Sequence, residues 1–235
     1  MVELLDIYKK FGPLDVLKGV SFKSSDSGIV TVLGPNGSGK TTMIKIILGM
    51  VLPDAGEVRL KGSTINGKWH YRNEIDYLPQ IARFPDNLKV SELIKMIKNL
   101  RGKETREEEL IALFKLEPFL NKKLGNLSGG SRQKVNIVLT FMFDSPIIIL
   151  DEPTSGLDPV SMVRLKEFIR KEKERGKLIF ITTHILSFVE EMADEIVFLL
   201  EGKIYFQGSV KAITEQTKQQ NLEYAIASIL ENEDA

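Results

Sequence analysis

Gly34-Pro35-Asn36-Gly37-Ser38-Gly39-Lys40-Thr41 fits the pattern Gly, four residues, Gly-Lys-Ser/Thr, a loop that cradles phosphate. Before it, Ile29-Val30-Thr31-Val32-Leu33 is apolar and β-branched, the composition of a buried strand. After it, Thr42-Met43-Ile44-Lys45-Ile46-Ile47-Leu48 reads as a helix. These flanks give the string its meaning. Glycines let successive backbone N–H groups turn inward around an anion, and the helix adds its positive end. Lys40 then reaches the β- and γ-phosphates of a nucleotide, and the Thr41 hydroxyl coordinates Mg2+.

Working outward, residues 2–8 and 14–23 alternate apolar and polar positions and read as strands joined through Phe11-Gly12-Pro13. Gly56–Leu60 closes a first β-rich lobe, and Ile75–Leu78 is a short strand ending at Pro79-Gln80. From Val90 to Leu116 the chain is charged and helix-forming, with Ser91 and Glu92 suited to a helix start and Arg106–Glu109 on a second helix. Residues 84–143 therefore read as a helical insertion in an α/β core. Within it, Leu127-Ser128-Gly129-Gly130-Ser131 opens an amphipathic helix carrying Val135, Val138, Leu139 and Met142. Ile147–Leu150 is an apolar strand capped by Asp151-Glu152-Pro153, and Ser155–Pro159 turns the chain into a helix through Glu174. Leu178–Ile181 is the next buried strand, running into Thr182-Thr183-His184, and residues 185–192 read as helical. Glu195–Leu200 and Lys203–Gln207 form a hairpin; from Ser209 the chain is helical, with an acidic, frayed end.

The composition limits what the chain does. Its 235 residues suit one large domain or two lobes sharing a core. Thirty-two basic residues balance 32 acidic ones, so no overall field attracts nucleic acid or anionic lipid. No apolar run approaches the roughly 20 residues that span a bilayer, and Met1–Ile7 lacks the pattern of a signal peptide. With no cysteine, disulfides and thiolate metal sites are excluded. Work at a membrane needs a membrane partner.

In an open α/β sheet, ligands bind outside the carboxyl ends of the strands. Four strands end in residues suited to triphosphate chemistry: the phosphate loop, Gln80, Asp151-Glu152 and His184. Asp151, after four apolar residues, has the pattern of an acid that holds Mg2+ directly or through water. Glu152 diverges from it and is placed to polarise an attacking water. Gln80 reads as a sensor of Mg2+ and that water, and His184 as a partner of the γ-phosphate. His70, beside Trp69, reads as structural. Ser128-Gly129-Gly130 is a second anion-binding signal at a helix N-terminus. With one complete nucleotide site in the chain, this turn fits a composite site, binding the γ-phosphate held by another molecule.

Together these residues resemble an ATP-binding cassette (ABC) ATPase subunit over nearly the whole chain. In that family's terms Gly34–Thr41 is similar to Walker A, Gln80 to the Q-loop and Leu127–Ser131 to the signature motif. Ile147–Glu152 resembles Walker B with its catalytic glutamate, Ser155–Asp158 the D-loop, and His184 the switch histidine. The implied fold is a P-loop NTPase of ABC type, with a mixed central sheet, an antiparallel β lobe and a helical insertion. Residues 1–83 and 144–208 would form the ATP-binding core, 84–143 the helical signature subdomain and 209–235 a C-terminal helical tail. The implied cofactors are ATP and Mg2+. The implied nucleotide-binding set is Phe11, Gly34, Pro35, Asn36, Gly37, Ser38, Gly39, Lys40, Thr41 and Thr42, with Ser128, Gly129, Gly130 and Asp158 from the signature and D-loop. The metal would fall to Thr41, Gln80 and Asp151, and catalysis to Glu152, His184, Gln80 and Lys40.

Phe11 falls where the family places an adenine-stacking aromatic, and Tyr8 competes for that role. Ser131 departs from the glutamine that commonly ends the signature motif, which leaves the subgroup open. The resemblance also implies a head-to-tail pair of cassettes closed by ATP. Transmembrane permease subunits would dock near the Q-loop, holding the chain in the cytoplasm at the inner face of the cell membrane. Asn221–Ala225 resembles the tail helix of single-cassette exporter subunits, favouring export; the length disfavours importers with a long regulatory domain. The alternatives are a soluble ABC-type mechanical ATPase acting on nucleic acid or ribosomes, and a non-hydrolysing ATP-binding module. Zero net charge and a single cassette speak against the first, so no nucleic-acid partner is expected.

Overall fold

The computed structural model describes residues 1–233. Two sheets and their helices organise the chain. Strands β1 (Val2–Phe11) and β2 (Leu14–Lys23) form a hairpin through the Gly12 turn that the sequence marks. β4 (Ala55–Leu60) pairs antiparallel with β1, and the two-residue β5 (Ser63–Thr64) extends this sheet in the order β2-β1-β4-β5.

The second sheet has the order β10-β9-β3-β8-β7-β6. Its strands are β3 (Gly28–Leu33), β6 (Ile75–Leu78), β7 (Ile147–Asp151), β8 (Leu178–Thr183), β9 (Glu195–Leu200) and β10 (Lys203–Gly208). All pairs are parallel except the β9–β10 hairpin at one edge. This is the mixed sheet with an antiparallel β lobe that the sequence implied. The four strands that end in polar residues, β3, β8, β7 and β6, are neighbours in it.

Period-2 alternation splits the central strands between two cores. Ile148, Leu150, Ile179 and Ile181 face one, with the helical segment and α5 (Pro159–Glu174). Ile147, Ile149, Leu178 and Phe180 face the other, against the first sheet and α1 (Lys40–Ile47). These strands are buried on both faces, so they read as unbroken apolar runs. A third cluster joins Leu33, Ile196 and Phe198 to α7 (Val210–Thr217) and α8 (Leu222–Glu233), with α6 (Leu186–Met192) alongside. The C-terminal end expected to fray lies in part outside the described residues.

The helical segment contains α2 (Val90–Arg101), α3 (Glu107–Phe114) and α4 (Gly129–Phe141). α2 buries Val90, Leu93 and Ile94, spaced i, i+3, i+4, and ends at Gly102 with φ +58°. Glu92 accepts a bond from the Lys89 N–H before the helix. Two arginines pin the connection between α2 and α3 to the core. Arg101 bonds to Asp76 of β6 and lies over the Phe143 ring at 4.2 Å. Arg106, which precedes α3 rather than lying on it, gives Glu172 of α5 two bonds of 2.8 and 2.7 Å. Glu172 is 1% exposed. Burial pushes its carboxyl up, but the bonds from Arg106 and Lys177 outweigh it and hold it below the usual range.

Candidate functional site

Gly39 stands at φ +108° between β3 and α1. A side chain there would meet Leu17 Cδ2 at 2.7 Å and the Val16 carbonyl at 3.0 Å, so the loop needs glycine for both conformation and space. The loop turns back on itself through Ser38 N–H to Pro35 O and is held from outside by Gly202 N–H to Ser38 O. Lys40, 7% exposed, curls under it, its Nζ donating to Gly34 O at 2.7 Å and Pro35 O at 2.9 Å. Burial pushes its ammonium below the ordinary value, against the opposing pull of Glu152 and Asp151.

Opposite the loop, β7 delivers Asp151 and Glu152, both buried. Asp151 Oδ2 lies 3.3 Å from the Thr41 hydroxyl, and Oδ1 accepts from the Thr182 hydroxyl of β8. Glu152 has a left-handed backbone, φ +52°, fixed by its N–H donating to Thr182 O at 3.0 Å and to Thr182 Oγ1 at 3.1 Å. Its Oε1 lies 2.9 Å from His184 Nδ1, and its buried Oε2 has no partner among the described residues. On β6, burial and the nearby Asp151 carboxylate push the Tyr77 phenol up to about 12.

A cleft of about 380 Å³ opens between these elements, lined by Val16, Asn36, Gly37, Gly39, Lys40, Thr41, Thr42, Gln80, Asp151 and Glu152. Half of the expected nucleotide, metal and catalytic residues therefore line one cleft, with His184 reaching it through Glu152. His184, expected from the sequence to face phosphate, pairs with a carboxylate here. Two groups suit an anionic ligand. Lys40 borrows backbone carbonyls as partners, and buried Ser38 Oγ has none among the described residues. For a divalent cation the donors are the Thr41 hydroxyl, the Asp151 carboxylate and the Gln80 amide, a hard oxygen set that suits Mg2+. No cluster of three or more His, Cys, Asp or Glu among the described residues could hold a metal alone.

Three expected groups stand apart from the cleft. Phe11 is 49% exposed at the end of β1, and Tyr8 is equally exposed. Neither lines the cleft, whose wall on this side is Val16 of β2, legible in the sequence only as an apolar strand position. Ser128 caps α4, accepting from Ser131 N–H at 3.2 Å, and it is exposed with Gly129, outside the cleft. Asp158 caps α5, accepting from Ser161 N–H at 2.9 Å and pairing with Lys134 at 2.8 Å. Thr182, which orients both acids, also went unassigned; its signal was a polar residue at the end of an apolar strand. His70 is exposed, stacks on Trp69 with ring centroids 3.7 Å apart, and does not line the cleft.

A phosphate loop between β3 and α1, with an acid-ended strand two places away in a mostly parallel sheet, defines a P-loop nucleotide-binding protein. The ABC transporter family's sequence profile matches residues 17–155, more than half of the chain, and the chain belongs to that family. The ABC transporter ATP-binding protein YhaQ of Bacillus subtilis is 32% identical over 227 residues, covering 94% of this chain and 76% of the relative. The Nod factor export ATP-binding protein I of Burkholderia lata is 31% identical over 220 residues, 91% of this chain and 72% of the relative. A solved ATP-binding subunit of an ABC transporter superposes with a TM-score of 0.90 at 29% identity, over 98% of this chain and 99% of that one. A dimeric cassette in a post-hydrolysis state, bound to ADP and phosphate, gives 0.79 at 27% identity over 89% and 98%. Among the described residues no helix is long and apolar enough to cross a membrane.

Proposed function

We propose that this ABC-family chain binds and hydrolyses ATP to drive a membrane transporter of export type, closing head to tail with a second cassette. The observation that carries the reading is the division of labour in the chain. Lys40, Thr41, Gln80, Asp151 and Glu152 line one cleft, while the Ser128 turn is exposed and outside it. A lone chain thus has one complete phosphate cradle and one spare anion-binding turn; two chains head to tail satisfy both.

In this reading Lys40 leaves the carbonyls of Gly34 and Pro35 for the β- and γ-phosphate oxygens. Thr41 and Asp151, with Gln80, would hold Mg2+, which would neutralise phosphate charge. Glu152 accepts the proton of the attacking water, a role worth about 10²–10⁴ in rate. His184 Nδ1 keeps the Glu152 carboxylate turned toward the cleft. Residues 1–83 with 144–208 act as the nucleotide core, 84–143 as the segment that presents Ser128–Gly130, and 209–235 as an appended tail. Permease subunits dock near Gln80 and the helical segment and hold the chain at the inner, cytoplasmic face of the membrane. The export direction is supported by the name of the Nod factor relative. A net charge of zero supports a partner other than nucleic acid.

Glu152→Gln tests the reading. It keeps the closing contacts and removes the proton acceptor, so with ATP and Mg2+ it should elute as a dimer by light-scattering chromatography and release no phosphate at steady state. A variant that stays monomeric at every salt concentration rules out the composite site.

A further inference from the structure

The turn at Ser128 and the acid pair at Asp151-Glu152 serve different nucleotides if the cassettes close head to tail, yet in this chain they are bolted together. Gln133, one turn into α4 and buried, donates its Nε2 to Pro153 O at 3.1 Å, directly after Glu152. Lys134 Nζ lies 2.8 Å from Asp158 Oδ2. Gly130 sits so close to the 153–158 loop that a Cβ on it would stand 2.7 Å from the Gly156 carbonyl.

The loop itself has little slack. Ser155 N–H returns to Glu152 O at 3.2 Å, Leu157 N–H returns to Thr154 O at 3.2 Å, and Asp158 is tied down by Ser161. A buried amide bonded to a backbone carbonyl is a stiff connection, because breaking it strands both partners away from water. Displacing the α4 N-terminus must therefore drag the peptide that carries Glu152.

We propose that Gln133 and Lys134 are positioning residues that make the Ser128 turn and the Glu152 strand end one rigid unit. What the turn meets on another molecule's nucleotide then sets the alignment of this chain's own Glu152. The proposal rests on the composite-site reading. It also assigns Asp158 a task other than nucleotide contact: its carboxylate is occupied by Ser161 and Lys134 and anchors the loop to α4. Neither Gln133 nor Lys134 lines the cleft, and each is engaged by the 153–158 loop, Gln133 by the Pro153 carbonyl and Lys134 by the Asp158 carboxylate.

The test compares Lys134→Met, Lys134→Arg and Gln133→Leu with the unaltered chain in steady-state ATP hydrolysis over a range of protein concentrations, with ADP affinity measured calorimetrically at monomeric concentrations. Lys134→Met should lower kcat about tenfold, within the usual range for a coupling between sites, while ADP affinity and KM change little. Lys134→Arg should restore most of kcat, and Gln133→Leu should act like Lys134→Met. A kcat for Lys134→Met within about twofold of the unaltered chain, against that tenfold expectation, overturns the proposal even if Gln133→Leu fails to fold. A loss matched by an equal loss of ADP affinity, or one that arginine does not rescue, also overturns it, because it marks general damage to the fold. If the unaltered chain's specific activity is independent of protein concentration, the composite-site reading fails and this inference with it. If that activity rises with concentration and Lys134→Met behaves identically, only the inference fails.

Discussion

Replacing Lys40 with methionine keeps the aliphatic stem and deletes the ammonium that bonds to Gly34 O and Pro35 O. When phosphate oxygens take the place of those carbonyls, two charge-assisted bonds of about 1.5–3 kcal/mol each are at stake. Losing both, about 3–6 kcal/mol, weakens ATP binding by about 10²–10⁴ in Kd. The unliganded fold should notice far less. Two bonds from a charged donor, about 1.5–3 kcal/mol each, disappear, but the cost of burying that ammonium, which already pushes its pKa down, is relieved at the same time. A net change under about 2 kcal/mol moves the unliganded Tm by less than about 8 °C in a chain of this size. Thermal melts with and without ATP separate the two effects. At a hundredfold excess over Kd, ATP should stabilise the unaltered chain by about 2.7 kcal/mol, whereas a variant bound a hundredfold more weakly gains only about 0.4 kcal/mol. A Lys40→Met chain that retains the full ATP-induced shift, or binds ATP within about threefold of the unaltered chain instead of the hundredfold loss worked out above, would show that this loop does not grip phosphate.

Arg106→Met leaves the buried Glu172 with Lys177 and Arg175, and should destabilise the chain by about 3 kcal/mol, the low end for a broken buried pair. Urea titration reads this directly, and a change under about 1 kcal/mol would mean that the pair is worth no more than a surface one. Because the folded chain holds Glu172 below its usual pKa, its contribution is present above the unfolded value of about 4.3 and is lost as pH falls through the folded one. The stability gap between the unaltered chain and Glu172→Gln should therefore narrow below about pH 4, and a gap constant from pH 7 to 3 contradicts this assignment. Gly130→Ala places a Cβ against the Gly156 carbonyl, which must move or push α4 away. It should abolish the ATP-dependent dimer of the Glu152→Gln chain and leave ADP affinity intact; an undisturbed dimer would mean that the turn tolerates displacement.

The parts of the fold legible in sequence are those with a local signature. Ile147–Leu150 and Leu178–Ile181 are β-branched or apolar throughout because both faces of the central sheet are covered, and Asp151 and His184 stand out because each follows such a run. The phosphate loop is legible because glycine, lysine and threonine have fixed tasks at fixed spacing. Contacts between residues far apart in the chain left no such trace. Glu172 looks like one more surface acid on α5, and Arg106 like part of a charged helix; only the fold brings them together. Gln133 and Lys134 read as polar positions on an amphipathic helix until the 153–158 loop is laid across them. Phe11 was carried by resemblance alone, and in the single chain it faces solvent at one end of β1. The two-residue β5 and the 3-10 turn at His70–Glu74 are too short for any periodicity to announce them.

The left-handed backbone at Glu152 sets two demands on one position against each other. An L-residue held there carries about 1–2 kcal/mol of conformational penalty that glycine would escape. Glycine would also erase the carboxylate proposed to take the proton from water. Selection for heat resistance alone, with no demand for turnover, should therefore drift this position toward hardier and idle chains. A thermostabilising screen of this protein has to count released phosphate as well as surviving fold.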